Sequence, residues 1–230
     1  MSGLPARPHN CYQLVCASPQ WGLVADRWPP WEDLTLRDFG TTVTDHRSSW
    51  VRKIRLDGCV WYFKTYTYDD IGSRLANWGK WTAPWRRSRA ARECAAYAWL
   101  TEHGFPAPSN FACLETRSAG FLRRATLVSA EVPGAPADQL LATSDAQARA
   151  GIARRIGDFV RALHQSGFRD RNLDLRNLIV GPEQIYNIDS PRYRIVRARR
   201  RPDSLARADW RRLLPQLDAH GVGAAAREAG

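Results

Sequence analysis

The chain has 230 residues, 44% of them hydrophobic and ten of them tryptophan, which provides for one sizeable folded domain or two small lobes and excludes a largely disordered chain. Its 34 Lys and Arg against 23 Asp and Glu leave a formal charge of +11, which favours an anionic partner: nucleic acid, a phosphorylated substrate or a membrane surface. The five cysteines, at 11, 16, 59, 94 and 113, include no Cys-x-x-Cys pair and no His at zinc-ligand spacing, which excludes a zinc module and points to reduced thiols.

Residues 1–40 are rich in Trp and Pro (Trp21, Trp28, Pro29, Pro30, Trp31) with weak periodicity, and predict an irregular N-terminal extension. Over 50–66, large apolar or β-branched residues alternate with charged ones around Asp57-Gly58, the pattern of a β-hairpin, with Lys64 on its second strand. A basic connector over 67–87 carries Trp78, Trp81 and Trp85, with Arg86, Arg87 and Arg89 beside them; this mixture suits either core anchors or a membrane interface. The Ala-rich stretch 88–104 predicts a helix with Glu93, Tyr97 and Leu100 on one face, ended by Gly104, and Pro106 and Pro108 forbid its continuation. Residues 111–115 and 121–132 predict two further strands, closed by Pro133-Gly134.

Ser144-Asp145-Ala146-Gln147 has the form of a capping box. It precedes a helix with Ile152, Ile156, Phe159, Val160 and Leu163 at helical spacing, stopping near Gly167. His164, near its end, is expected to pack or to cap. Residues 173–180 and 184–190 predict two short strands around Gly181-Pro182. A last helix carries Trp210, Leu213, Leu214 and Leu217 on one face and ends near Gly221, with a frayed Ala/Gly tail beyond. Strands come first and helices later, which predicts an α+β chain in two lobes that join near Pro133. Two Arg-rich clusters, Arg86-Arg87-Ser88-Arg89 and Arg197-Ala198-Arg199-Arg200-Arg201, suit bidentate phosphate contacts.

A lysine on a strand, Lys64, is followed by a glutamate on the next helix, Glu93, then by an apolar strand entering a Pro-Gly linker. A basic loop with Asn177 and an aspartate after a strand, Asp189, complete the series. Phosphoryl transfer requires such parts: a cation on the phosphates, a carboxylate that positions it, and oxygen ligands for Mg2+. The order resembles that of protein kinases. The stretches LDGCVWYFKTY, SRAARECAAYAWLTEHGFPAP, GFLRRATLVSAEVPGA, LHQSGFRDRNLDLRNLIV and IYNIDSPRYRI resemble the lipopolysaccharide kinase (Kdo/WaaP) family, whose members phosphorylate inner-core sugars of lipopolysaccharide.

That resemblance covers roughly residues 40–215. It implies a two-lobed, protein-kinase-like α+β fold: an N-lobe over 41–132 with a small antiparallel sheet and one helix, and a reduced, mainly helical C-lobe over 133–230. The single kinase-like domain would span 41–218. The resemblance also implies ATP and Mg2+ as cofactors. Lys64 would meet the α/β-phosphates and Glu93 would hold Lys64; Ala130 and Val132 would present hinge backbone groups to adenine, and Asn177 and Asp189 would bind Mg2+. Only 41 residues follow Asp189, too few for the long activation segment and helical substrate lobe of ordinary protein kinases, which suits a sugar or glycolipid acceptor.

Two departures stand out. Aligned on the His-Arg-Asp of the catalytic loop, Asp170 takes the His position, Arg171 the Arg position and Asn172 the Asp position. An amide accepts no proton, and general-base assistance is typically worth about 10² to 10⁴ in rate, yet phosphoryl transfer draws mainly on positioning and electrostatics. Asp170 and Asp174 lie two residues to either side of Asn172, and alternation along an extended loop would point both the same way. Asp174 is the favoured substitute, as base or as substrate-positioning group. The phosphate-covering loop, 41–50, holds no glycine, and Ser48 and Ser49 supply small side chains there.

These readings converge on an ATP- and Mg2+-dependent kinase for a sugar hydroxyl of lipopolysaccharide core or a related glycolipid. Asn172 keeps open a pseudokinase that binds nucleotide or a partner without transfer, while no recognised motif supports a nucleic-acid binder. The first residues hold no signal-like apolar core, and nowhere do about 18 apolar residues run together. The expected location is therefore the cytoplasm, with peripheral contact to an anionic inner membrane.

Overall fold

A computed structural model describes residues 12–21, 28, 30–197 and 203–228; Cys11, Pro29 and residues 198–201 of the second basic cluster lie outside them. The chain divides into two compact units, one of residues 1–91 with 110–129 and the other of residues 92–109 with 130–230. Among the described residues, no helix is long and apolar enough to cross a membrane.

In the first unit six strands form one sheet: β1 (Gln13–Ala17), β2 (Thr41–His46), β3 (Ser49–Leu56), β4 (Cys59–Thr67), β5 (Phe111–Ser118) and β6 (Phe121–Ala130), in the order β1-β5-β6-β4-β3-β2. The expected hairpin is β3–β4, antiparallel from Ser49 opposite Tyr66 to Leu56 opposite Cys59. Its turn residues Asp57 and Gly58 have φ of 50° and 75°, the backbone that lets a two-residue loop follow the right-handed twist of its strands. Alternation then buries Trp50, Arg52 and Ile54 from β3 and Trp61, Phe63 and Thr65 from β4. Buried Arg52 is satisfied by Asp45 at 2.9 Å and by the carbonyl oxygens of Arg37 and Thr44, as a buried charge requires.

Part of the segment read as irregular belongs to this sheet. β1 pairs antiparallel with β5, with a break in register between Leu14 and Cys16. Just after it, Trp21 and Trp28 stand edge-on to Trp61 of β4, with ring centroids at 6.2 and 4.6 Å. Ser18 Oγ donates to Asn110 Oδ1 at 2.7 Å, and a helical turn, α1, follows at Trp31–Leu34. The basic connector also folds, into α2 (Ile71–Ala76) and a turn of π-helix at Trp78–Thr82. Asp70 caps α2 by accepting from Ser73 N, and Thr82 Oγ1 donates to the Arg74 carbonyl at 2.7 Å.

Helix α3 (Arg89–Glu102) starts where Ser88 Oγ accepts from Ala91 N at 3.0 Å, and ends before Gly104 at φ 74°. From residue 92 it belongs to the second unit, where Ala96 and Leu100 pack with Leu163 and Phe168. The other helices there are α4 (Ala137–Thr143), α5 (Ala146–Ser166), α6 (Ser204–Ala219) and α7 (Gly223–Glu228). The cap of α5 is Asp145 rather than Ser144: the Asp145 carboxylate accepts from Ala148 N at 2.8 Å, while Ser144 closes α4 by donating its N–H to Leu140. A carboxylate in that position also complements the helix dipole. Gly167, at φ 97°, terminates α5 in the left-handed conformation that glycine adopts at no steric cost.

The core of the second unit gathers Ala153, Ile156 and Val160 of α5, Leu213 and Leu217 of α6, and Val222 and Ala226. The tail read as frayed is thus folded through 228, as α7. It seats where α5 has no side chain, since a Cβ at Gly157 would collide with the Ala226 carbonyl oxygen. Short strands complete the unit: β7 (Ala135–Pro136), β9 (Leu178–Val180) and β10 (Ile185–Asn187) in the order β10-β9-β7, and β8 (Phe168–Arg169) with β11 (Arg194–Ile195).

Gly157→Ala tests this seating. Helix propensity alone favours Ala by about 1 kcal/mol, but overpacking typically costs about 1–3 kcal/mol. The variant is expected to be net destabilised in urea unfolding, with α7 protected less in hydrogen exchange.

Candidate active site

The loop after β8 is built on one buried carboxylate. Asp209, on the apolar side of α6 and only 2% exposed, accepts from the backbone N–H of Asp170 at 3.1 Å and of Arg171 at 2.8 Å, and meets His164 Nε2 at 3.2 Å. Arg171 has φ 62°, a left-handed backbone that costs a side-chain-bearing residue about 1–3 kcal/mol and persists only where its surroundings enforce it. Asp209 supplies that enforcement. Next to it, buried Arg169 donates to the His164 carbonyl at 2.7 Å and pairs with Asp203 at 3.0 Å. Asp203 caps α6 through Leu205 N and Ala206 N. Burial raises its pKa, but the Ala206 bond and Arg169 outweigh this and hold it below the ordinary carboxylate value.

With the loop fixed, each side chain proposed from sequence has a definite place. Asp170 is buried; its Oδ2 accepts from Asn187 Nδ2 at 3.0 Å, and the buried Ser190 hydroxyl also favours its carboxylate. Burial pushes its pKa up to about 7, opposed by the Asn187 bond and reinforced by the charge of Asp209. Arg171 points its side chain to solvent. Asn172 Nδ2 donates to Asp189 Oδ2 at 2.8 Å and to the Asp189 carbonyl at 3.1 Å. The neutral amide is therefore the hydrogen-bond donor that a carboxylate at 172 would not be.

Asp174 caps a turn of 3-10 helix at Leu175–Asn177. Arg176 binds both of its oxygens, at 2.9 and 3.0 Å, and that contact holds its pKa below the ordinary carboxylate value. Asn177 ends the turn, and its carbonyl accepts from Ile188 N at 3.0 Å, which ties it to the residue before Asp189. Asn172, Asn177 and Asp189 are thus brought together in one unit.

Helix α3 grips the main chain on both sides of Asp189. Tyr97 Oη donates to the Ile188 carbonyl at 2.7 Å and lies 3.3 Å from Oε1 of the buried Glu93. Arg92 donates to the carbonyls of Pro191 and Tyr193, both at 2.7 Å, with its guanidinium over the Tyr193 ring at 5.2 Å. Sequence reasoning placed Tyr97 on the Glu93 face but missed Arg92 and Asp209. The available signal for Asp209 was an acidic residue one position before Trp210 and four before Leu213, on the side of an amphipathic helix that otherwise enters the core.

Among the remaining proposed residues, Ala130 ends β6 and Val132 follows it, both half-buried and both in the second unit. In the first unit Lys64 is half-buried on β4, with Nζ 5.9 Å from the Tyr66 ring centre. The segment 41–50, read as a covering loop, is mostly strand: β2 pairs with β3, and Arg47 and Ser48 form the tip. Ser48 is exposed, its carbonyl accepts from Thr67 N at 2.9 Å, and Ser49 opens β3. A cavity of about 390 Å3 in this unit, lined by residues including Arg37, Trp50 and Arg124, contains none of the proposed site residues.

Among the described residues no three His, Cys, Asp or Glu side chains converge as a metal site. Asn177 and Asp189 offer hard oxygen donors, which fit Mg2+ when phosphate oxygens and water complete its shell.

A model of the phosphotransferase enzyme family matches residues 43–228. Among solved structures, the chain is similar to WaaP in complex with acyl carrier protein, at 16% identity and a TM-score of 0.57 over 87% of this chain and 79% of that one. No curated protein matches. The fold is protein-kinase-like, α+β with an antiparallel sheet in the first unit, as the resemblance to lipopolysaccharide kinases implied.

Two substitutions test the loop. Asp209→Ala leaves two backbone N–H groups without their acceptor, at about 1–3 kcal/mol for each buried donor, and is expected to lower the urea midpoint sharply. Asp170 has a folded-state pKa above its unfolded value, so its contribution to stability is fully present below pH 3.8 and is lost as pH rises to about 7. Asp170→Asn removes that titration. Its stability relative to wild type, measured without nucleotide, is expected to rise between these limits and to level off above them.

Proposed function

We propose that this chain, which belongs to the phosphotransferase enzyme family, is a kinase that transfers the terminal phosphoryl group of ATP to a sugar hydroxyl of lipopolysaccharide core or a related glycolipid, at the cytoplasmic face of the membrane. The observation that carries this reading is the Asn172–Asp189 bond of 2.8 Å, beside Asn177, in a loop held by a buried carboxylate. It supplies a fixed, oxygen-rich end for a nucleotide. Asn177 and Asp189 would hold Mg2+, which when bound draws charge from the phosphate oxygens. Lys64 would meet the α/β-phosphates, Glu93 would orient Lys64, Ser48 and Ser49 would cover the phosphates, and Ala130 and Val132 would offer backbone groups to adenine.

The acceptor end follows from what the loop residues can do. Asn172 spends its N–H on Asp189, which leaves its amide oxygen to accept a hydrogen bond from the acceptor hydroxyl and aim it. Aiming suffices where the transition state is loose and the hydroxyl proton leaves late. Asp174, with both oxygens on Arg176 and a lowered pKa, is suited to positioning the acceptor rather than to removing its proton. Asp170 is too deeply buried to meet an acceptor, and its role is to hold Asn187. Arg171, at the surface of the same loop, would meet the negative charge of an anionic sugar.

The same amide favours a second reading, a pseudokinase that binds Mg·ATP without transfer. Incubation of the purified protein with γ-labelled ATP, Mg2+ and core oligosaccharide separates the two. The kinase reading expects label on the oligosaccharide, a loss of at least about 10²-fold in Lys64→Met and Asp189→Ala, and a higher acceptor KM in Asp174→Asn with a smaller change in kcat. Nucleotide binding without transfer, together with activity gained in Asn172→Asp, would instead establish the pseudokinase.

A further inference from the structure

The large apolar side chains most exposed in the first unit fall within one short stretch of sequence. Ile71, Leu75 and Trp85 are 69%, 66% and 73% exposed, and all three lie between β4 and α3. Single exposed apolar residues are ordinary on a protein surface, whereas a group of them calls for a partner. Ile71 and Leu75 are one turn apart on α2 and share a face. Trp85 is held edge-on against Trp78 at 5.7 Å, and Trp78 in turn packs on Phe121 at 5.5 Å. Trp85 is thus presented by a supported ring rather than by a loose loop.

The segment is also braced from within. Asn77 Nδ2 donates to the Ser73 carbonyl at 2.8 Å, and Thr82 Oγ1 to that of Arg74, which joins α2 to the π-helical turn. Its charge has one sign: residues 71–87 contain Arg74, Lys80, Arg86 and Arg87 and no acid, and Lys80, Arg86 and Arg87 are exposed.

We propose that residues 71–87 are a docking surface for an anionic lipid bilayer. Trp85, Ile71 and Leu75 enter the boundary between headgroups and acyl chains, where tryptophan is favoured, and Lys80, Arg86 and Arg87 meet the lipid phosphates. The charge complementarity chooses the occupant. Peripheral attachment takes two signals, apolar insertion and basic attraction, and this segment carries both, its four basic residues outnumbering the exposed Asp69 and Asp70 at its N-terminal border. The inference rests on the proposed function only in that a glycolipid acceptor is borne on a membrane, and none of these six residues is assigned to nucleotide or acceptor.

Flotation of the full chain with lipid vesicles tests it, and needs no phosphoryl transfer. Wild-type protein is expected to float with phosphatidylcholine vesicles containing about 30% phosphatidylglycerol and far less with phosphatidylcholine alone, with binding weakened by added salt. The triple change Ile71→Ser, Leu75→Ser and Trp85→Ser is expected to reduce the bound fraction about tenfold or more, while affinity for a fluorescent Mg·ATP analogue stays that of wild type. Arg86→Ser with Arg87→Ser is expected to flatten the salt dependence. Trp85→Ser alone, a single exposed change, is expected to weaken binding severalfold and stands in if the triple variant fails to fold. The proposal is overturned if wild type floats with neither vesicle, if it binds both equally, or if the serine variants float as well as wild type. Capture of a soluble acidic protein by this surface, with no vesicle binding, would assign it to a protein partner and overturn it likewise.

Discussion

The loop after β8 depends on a buried carboxylate. A charge as buried as Asp209 is costly unless its oxygens are satisfied, and two backbone N–H groups and His164 satisfy it. The same bonds hold Arg171 in a backbone conformation it would not adopt alone. From there the geometry propagates by short steps. Asn172, between Arg171 and Leu173, faces Asp189, Leu173 and Leu175 turn into the core, and the 3-10 turn brings Asn177 against the strand end at Ile188. No element of regular structure longer than three residues lies between 167 and 203 among the described residues, so side chain to backbone bonds do the work that a helix or sheet does elsewhere.

Within that loop the distribution of protons is uneven. The carboxyl that titrates near neutrality, Asp170, is enclosed beside Asn187, whereas the position beside Asp189 holds an amide that does not titrate. Asp189 thereby gains a donor where a second carboxylate would repel it. The arrangement forgoes proton acceptance at 172 and gives Asp189 a neutral neighbour.

The parts legible in the sequence are those whose cause is local. β3 and β4 announce themselves by alternation and by Asp57-Gly58, and α5 by an acidic cap, a 3.6-residue apolar period and Gly167. β1 could not be read this way, because what orders it is a strand about 100 residues later and what orders Trp21 and Trp28 is Trp61. β2 is exposed throughout and, Val43 apart, polar, so it carries no alternation to find. Ser144 and Asp145 are both capping residues by type, and only the close of α4 at Leu140 decides between them. The tail escaped notice because Ala226 is ordered by the absence of a side chain at Gly157, on another helix. The series Lys64, Glu93, Asn177, Asp189 was proposed from the sequence because phosphoryl transfer constrains residue type and order. Arg92 and Asp209 were not, since each acts on main-chain atoms and no spacing advertises such a partner.

The hold that α3 has on the segment around Asp189 runs through the carbonyls of Ile188, Pro191 and Tyr193. Every residue type offers a carbonyl oxygen. Anchoring and side-chain identity are therefore separate properties at Arg192, the exposed position of this stretch, whose substitution can change what the segment presents without releasing it, whereas Ser190 and Pro191 are buried. The segment is a place where the protein can change its chemistry while keeping its frame, provided that Arg92 and Tyr97 remain.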